Sequence, residues 1–429
     1  MLNVELSNIW SCVSLPDLLS REKELFDAHL HLRSNQPGFA QYLGWPGQSD
    51  ALTARMLHAV RTAEKAIRAA GDTLVVLGTA SACRAAEAAL ALLGDRGKGR
   101  MRVFFAGDSL SSRSWLELCD RLEGHDFCLH IVSPLGGEME TAIASRAVRW
   151  MMERRYGAET KTRIYVSAQP NTPVALMAKE EGYAFLPVPT QPGGAYSALT
   201  SATLLPLAVA GAGIEPLEVL EGAAEAYRQY DLRAFENPVW MYAGARYALY
   251  GKGRTAELLG TFDPAFSAFG TWWAQWVCRH ACQSGAGVLP LPMCLTRDLD
   301  ALDNMLTSGR YPLFETMLHV PPLSAQRVNV EMDWKDYDGL DYLADKSVAD
   351  VAAATYQAML DTHAAADVPV IVIEGETLDA AHLGELFYFF ELANAIFACA
   401  CGVDPFDLPQ ELPTRRAAAE LLGRPEKAE

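Results

Sequence analysis

Along the first half of the chain, short apolar runs alternate with longer alanine-rich stretches. Thr73–Leu77, Met101–Phe105, Cys128–Val132, Arg163–Ser167 and Tyr183–Pro187 have the length and side-chain content of strands. Between them, Ser81–Leu93, Ser111–Leu122, Met139–Arg155 and Thr172–Glu181 have the length and spacing of helices. Strands alternating with helices predict a parallel sheet covered on both faces, with ligands taken at the carboxyl ends of the strands. A second set follows. It predicts a helix around Pro238–Tyr250, a strand Thr255–Leu259, a helix around Pro264–Trp276, a strand Val288–Leu291 and a helix Arg297–Ser308. Further strands are expected at Glu315–Val320, Arg327–Met332 and Pro369–Glu374, and helices at Gly384–Cys401 and Arg415–Leu422. The expected class is therefore α/β, with two doubly wound parallel-sheet subdomains. The expected segments are 1–64 (N-terminal helical), 65–215 and 216–383 (the two α/β subdomains) and 384–429 (a helical C-terminal tail).

Composition narrows the function classes. A chain of 429 residues, half of them apolar, has ample material for a large core divided between two units. A net charge of -17 argues against a nucleic-acid groove, which needs a dense basic face. Ala198–Gly213 is too short and too polar to cross a membrane, and Leu386–Val403 carries Glu391 and Asn394 and reads as a buried helix. The first residues lack the pattern of a signal peptide, and nine scattered cysteines are expected to be reduced thiols, so a cytoplasmic location is expected. No cofactor and no metal are expected. The pair His29 and His31 in Asp27–Leu32 imitates an H-x-H metal motif, which needs a strand to aim both imidazoles one way; here the surrounding pattern is helical.

The most informative stretch is Trp272–Pro290. It keeps Trp272, Gln275, Gly285, Gly287 and Pro290 of the pattern W-Y-x-Q-L-F-G-E-S-E-G-K-x-G-x-G-I-F-P, with no gap. Leu313-Phe314-Glu315-Thr316 matches L-F-E-T, and Glu140-Thr141-Ala142-Ile143-Ala144 matches E-T-A-I-A. Tyr42-Leu43-Gly44-Trp45 is similar to F-L-G-W, and Gly402-Val403-Asp404-Pro405-Phe406-Asp407 to G-V-N-P-F-D. These ordered matches, from about Leu25 to Pro425, resemble the phosphoglucose isomerase family. The resemblance implies two sugar-isomerase (SIS)-type subdomains, a homodimer with sites near the subunit interface, and a place in glycolysis and gluconeogenesis. It also implies interconversion of glucose 6-phosphate and fructose 6-phosphate through an enediol. That chemistry needs a carboxylate base, a cation for the enediolate, acid–base groups that open the ring, and a phosphate cradle.

Carried over residue by residue, those roles fall on altered positions. The base aligns with Arg279, a guanidinium that cannot accept a proton. The enediolate-side arginine aligns with Ala195, the ring-opening histidine with Asp300, and a late lysine with Arg415 or the adjacent Arg416. In the phosphate loop, Ser133, Gly136, Glu140 and Thr141 persist, but the central hydroxyls are gone and Glu138 brings a negative charge that repels a phosphate. The early glycine turn is now Gly78-Thr79-Ala80-Ser81. Candidate sugar-contacting residues are Ser81, Ser133, Gly136, Glu138, Thr141, Gln275, His280 and Gln283. Cys278, His280 and Cys282 have no standard zinc spacing; either they line the strand at the old site, or Cys278 or Cys282 is a new reactive thiol. The Asp298, Asp300 and Asp303 cluster is either a solvated face or a negative lining, and Trp272, Trp273 and Trp276 are expected to pack in the core.

Three readings follow. The first is a catalytically degenerate family member with a sugar-like or sugar-phosphate ligand. The second is an active aldose–ketose isomerase in which Glu138 or Asp300 serves as base. The third is a non-catalytic partner of a true isomerase in a mixed dimer.

Overall fold

A computed structural model describes residues 1–33, 50–93, 101–188, 194–211, 214–282, 285–308, 311–321, 327–407 and 412–424. Tyr42, Leu43, Gly44, Trp45 and Gln283 lie outside the described residues.

Ten strands among the described residues form two five-stranded sheets. They are β1 (Asn3–Glu5), β2 (Thr73–Gly78), β3 (Arg102–Ala106), β4 (Phe127–Val132), β5 (Ile164–Ala168), β6 (Ala184–Pro187), β7 (Ala256–Thr261), β8 (Leu289–Cys294), β9 (Leu313–His319) and β10 (Val370–Glu374). The first sheet runs β3-β2-β4-β5-β6 and is parallel throughout. The second runs β1-β10-β9-β7-β8, parallel except for β1, which pairs antiparallel with β10 at the edge. All residues of β2 and β4 are buried, as expected of strands covered on both faces by helices, and this is why they read as continuous apolar runs.

The largest core is built by helices. Ala380–Ala400 is buried along nearly its whole length, and although it is long and apolar enough to span a bilayer, it lies inside the protein. It crosses the helix Pro216–Gln229 so closely that a Cβ on Gly384 would lie 1.8 Å from the Val219 carbonyl oxygen, and one on Gly222 1.9 Å from that of Ala381. Trp272, Trp273 and Trp276 are buried as packing residues. Arg246 and Glu257, both fully buried, pair at 2.7 Å and tie the helix Pro238–Gly251 to β7.

Two local expectations need correction. Arg327–Met332 is not a strand; only an isolated bridge links Asn329 to Ser347, and Val328 and Met332 are exposed because no neighbouring strand or core receives them. Cys278 and His280 lie on the helix Ser267–His280, which continues the expected helix past Trp276, rather than on a strand. The helices Asp50–Ala70 and Ala380–Ala400 run through the expected boundaries at 64/65 and 383/384, and the four-segment division is kept only as a proposal about folding units.

Candidate functional site

In the first sheet, β3 and β5 flank the pair β2 and β4 on opposite sides. The connections leaving β2 and β4 therefore diverge and leave a crevice at their carboxyl ends, where ligands of such folds sit. Thr79 follows β2, Asp108 lies just beyond β3, and Ser133 follows β4. The helix Ser267–His280 packs against Ala80–Leu93 and roofs the crevice. Its residues Gln275, Cys278 and Arg279 fall at i, i+3 and i+4 and so share the face toward the cleft. The helix Pro413–Leu421 brings Arg415 to the rim. The resulting cleft holds about 420 Å³ and is lined by these residues with Thr79, Ser81, Asp108, Glu140 and Leu412. That volume lies within the roughly 300–1,000 Å³ of small-molecule sites.

Charges in the cleft are largely compensated. Arg415 Nη1 lies 2.7 Å from Glu140 Oε2, joining the C-terminal helix to Met139–Tyr156. Asp108 pairs with Arg84 at 3.3 Å. Burial pushes the Arg279 guanidinium below its ordinary value; the Glu138 charge opposes that shift and the Arg415 charge adds to it. Arg279 remains a cation, since guanidinium groups keep their proton.

The loop after β4 is turned inward. The Ser133 hydroxyl, almost wholly buried, donates to Glu138 Oε2. The Thr141 hydroxyl donates to the Gly107 carbonyl at 3.2 Å. Gly136 and Gly137 take φ of 71° and 89°, where a side chain would be strained. Both surviving hydroxyls are thus occupied within the chain.

Of the sequence candidates, Ser81, Gln275, Arg279 and Arg415 meet in one cleft, with the Ser133–Glu138 turn beside it. Ala195 falls in the 3₁₀ helix Gly194–Leu199, of which only the backbone is described at that position. His280 is not in the cleft. One residue beyond Arg279, it lies about 100° further round the helix and faces the core between Tyr196 and Trp276, its Nδ1 2.6 Å from the Pro405 carbonyl. Burial lowers its pKa to about 3, so the ring is neutral. Cys278 borders the cleft, yet burial raises its thiol; burial likewise raises Cys282 to about 11, and its Sγ lies 3.0 Å from the Val288 carbonyl. Neither environment favours a thiolate.

Asp300 lies elsewhere. With Asp303, Asn304, Thr355 and Thr362 it lines a separate open groove of about 500 Å³. Beneath that groove the buried His363 bridges Glu315, at 2.8 Å, and Asp303, at 3.4 Å. Burial works against its imidazolium, but the two carboxylates carry its pKa above the ordinary value. His29 and His31 sit on the helix Glu22–Arg33 rather than on a strand; His29 is buried and accepts from Trp240 Nε1 at 2.8 Å. Thr79 and Asp108 were missed among the sequence candidates. Their position just past β2 and β3 was the available signal.

No protein-family model matches the chain. The glucose-6-phosphate isomerase of Symbiobacterium thermophilum is 35% identical over 408 residues, 92% of this chain and 90% of that protein. That of Bacillus cytotoxicus is 33% identical over 395 residues, covering 90% and 87%. Among solved structures, a hypothetical protein of Thermus thermophilus superposes with a TM-score of 0.83 at 20% identity, over 99% of both chains. A glucose-6-phosphate isomerase of Chlamydia trachomatis gives 0.82 at 15% identity, over 98% of this chain and 88% of that one. The fold, the position of the cleft and these relatives place the chain in the glucose-6-phosphate isomerase family.

Proposed function

We propose that this chain keeps the family cleft as a binding site for a sugar or sugar derivative and does not isomerise glucose 6-phosphate by the family's proton transfer. The observation that carries the reading is Arg279. It lines the cleft at the position where the sequence resemblance puts the base, and a guanidinium cannot collect a proton from carbon. The carboxylates that do line the cleft are already engaged, Glu140 by Arg415 and Asp108 by Arg84. Hydroxyls of Thr79 and Ser81 and the amide of Gln275 offer the mixed donors and acceptors that a polyol needs.

A second reading has one observation in its favour: the Glu138 charge acts on Arg279, so a relocated base could be Glu138 with Arg279 stabilising the enediolate. Against it stands the hydrogen bond from Ser133, which already holds that carboxylate. Asp300 lines a different groove of the same chain.

A homodimer belongs to the same proposal. Its support is the apolar surface gathered on Val328–Tyr342, where Met332, Trp334, Tyr337 and Tyr342 are each 70% exposed or more. A mixed dimer with a true isomerase would use the same surface.

Thermal unfolding with glucose, fructose, glucosamine and the two hexose 6-phosphates tests the binding reading. A midpoint that climbs with the concentration of a neutral or amino sugar, and stops climbing in Gln275→Ala, is expected. No response to any sugar would overturn it.

A further inference from the structure

The two most exposed tryptophans among the described residues sit on surfaces of opposite charge. Trp150, 60% exposed, lies on the helix Met139–Tyr156, and Trp334, 82% exposed, lies on the loop 331–345. Ile143, Ala147, Trp150 and Arg154 fall at i, i+4, i+7 and i+11 and are all exposed, so they form one stripe along the helix. At the helical rise that stripe is about 16 Å long. Arg154 lies 4.8 Å over the Trp150 ring, and Arg146 and Arg154 make the face basic against the single carboxylate of Glu153. The loop has the complementary pattern. Glu331, Asp333, Asp336, Asp338, Asp341 and Asp345 stand against one lysine, Lys335, which rests 4.3 Å over the Trp334 ring. Its own carboxylates hold it in shape. Asp341 Oδ1 accepts from the Asp333 amide at 2.9 Å, Asp336 Oδ1 from the Asp341 amide at 3.0 Å, and Asp338 Oδ1 from the Leu340 amide at 3.1 Å. On that frame Met332, Trp334, Tyr337 and Tyr342 point their apolar surface outward. Neither the six carboxylates nor Arg146 and Arg154 form a salt bridge among the described residues.

We propose that the acidic loop 331–345 of one copy seats on the basic stripe through Ile143 and Trp150 of a second copy, and the second copy's loop on the first copy's stripe. The proposal rests on the homodimer reading and names the two surfaces that make it. The stripe calls for an acidic segment with aromatic side chains, and this chain carries one. Each copy gives one loop and receives one, so the exchange closes at two. Tryptophan, tyrosine and arginine, which meet here, are the residues that carry most interface energy. A loop already held by its own hydrogen bonds loses little freedom on docking. Charge decides the pairing of faces. Two chains of net charge -17 repel each other as wholes, so contact needs a place where opposite signs meet.

Sedimentation of two charge-exchanged variants tests the pairing. The helix variant carries Arg146→Glu and Arg154→Glu. The loop variant carries Glu331→Lys, Asp333→Lys, Asp336→Asn and Asp338→Asn, which reverses the sign of the loop while the asparagines keep the Oδ1 acceptors. Each variant alone sets like charges against each other at both contacts. Its dimer is expected to dissociate about a hundredfold more readily than that of the wild type. An equimolar mixture restores opposite charges at both contacts, so dimers are expected to return, which two misfolded variants would not do. If the wild type and both variants are equally dimeric, the pairing falls and the homodimer stands on another surface. A mixture that stays monomeric beside a dimeric wild type overturns the pairing in the same way. A wild type that is monomeric at micromolar concentration removes both the pairing and the homodimer.

Discussion

At the scale of single residues, chemistry in this chain is decided by which way a side chain faces and what surrounds it. Arg279 and His280 are neighbours in sequence, yet one lines the cleft and the other is sealed against Trp276 and Tyr196. The sequence resemblance puts both at one site, and the helical period separates them, a facing that the residue types alone do not state. Burial leaves three histidines neutral: it lowers His29 to about 4, and His130 and His280 to about 3. A lowered folded-state value means that their contribution to stability is present above pH 6.5 and is lost as pH falls from there. Glu391 acts in the opposite sense. Burial raises it well above 4.5, so the fold is destabilised as pH rises from that value. Each group changes stability by about 1.4 kcal/mol per pH unit while only one state titrates. Between pH 6.5 and 4.5 the three histidines outweigh Glu391 and Glu87, whose carboxyls burial raises, so stability falls on acidification. Urea unfolding across that range should show the fall; a flat profile would contradict the buried, neutral state of these rings. Glu391→Gln removes one opposing group. It is expected to raise the thermal midpoint at pH 7.5 relative to the wild type, with the gain shrinking toward pH 4.5.

At the scale of elements, the interior strands and most helices were legible because apolar runs flanked by helical spacing leave few alternatives. β2 to β10 fall within a few residues of their expected places. β1 was not expected, since three residues with the buried Val4 between exposed neighbours give too short a pattern. Arg327–Met332 alternates as a strand would, but alternation states only that one side is apolar, not that a partner exists to cover it. The close crossing of Pro216–Gln229 and Ala380–Ala400 was equally invisible, because nothing local marks Gly222 or Gly384 as contact points. Gly384→Ala would place a methyl against backbone that cannot rotate away. It is expected to cost on the order of 3 kcal/mol and to lower the thermal midpoint, whereas Gly124→Ala, where a Cβ meets nothing within 4 Å, should lose much less, through its φ of 77° alone. Equal losses in the two variants would count against the crossing.

At the scale of the whole molecule, the fold and lineage are those of an isomerase while the cleft has a different charge pattern. The crevice, the roofing helix and the C-terminal arginine line one cleft, and Arg279 stands in it where the sequence resemblance puts the base. The sequence resemblance puts Arg279, Ala195, Asp300 and Arg415 at the family's catalytic positions. That Asp300 would lie in a separate groove, and that Ser133 would be spent on Glu138, required three dimensions. The proposed homodimer predicts that sedimentation of the wild type gives twice the chain mass and that Trp334→Asp with Tyr337→Asp gives the monomer. A wild-type monomer at micromolar concentration would remove the dimer from the proposal. The most direct measurement is turnover: purified protein with saturating glucose 6-phosphate, fructose 6-phosphate followed over hours, and Arg279→Ala as a parallel sample. No product above the uncatalysed rate is expected from either. Turnover by the wild type at even about 1 s⁻¹, the low end of ordinary enzymes, lost in Glu138→Gln, would contradict the loss of catalysis and establish Glu138 as the base.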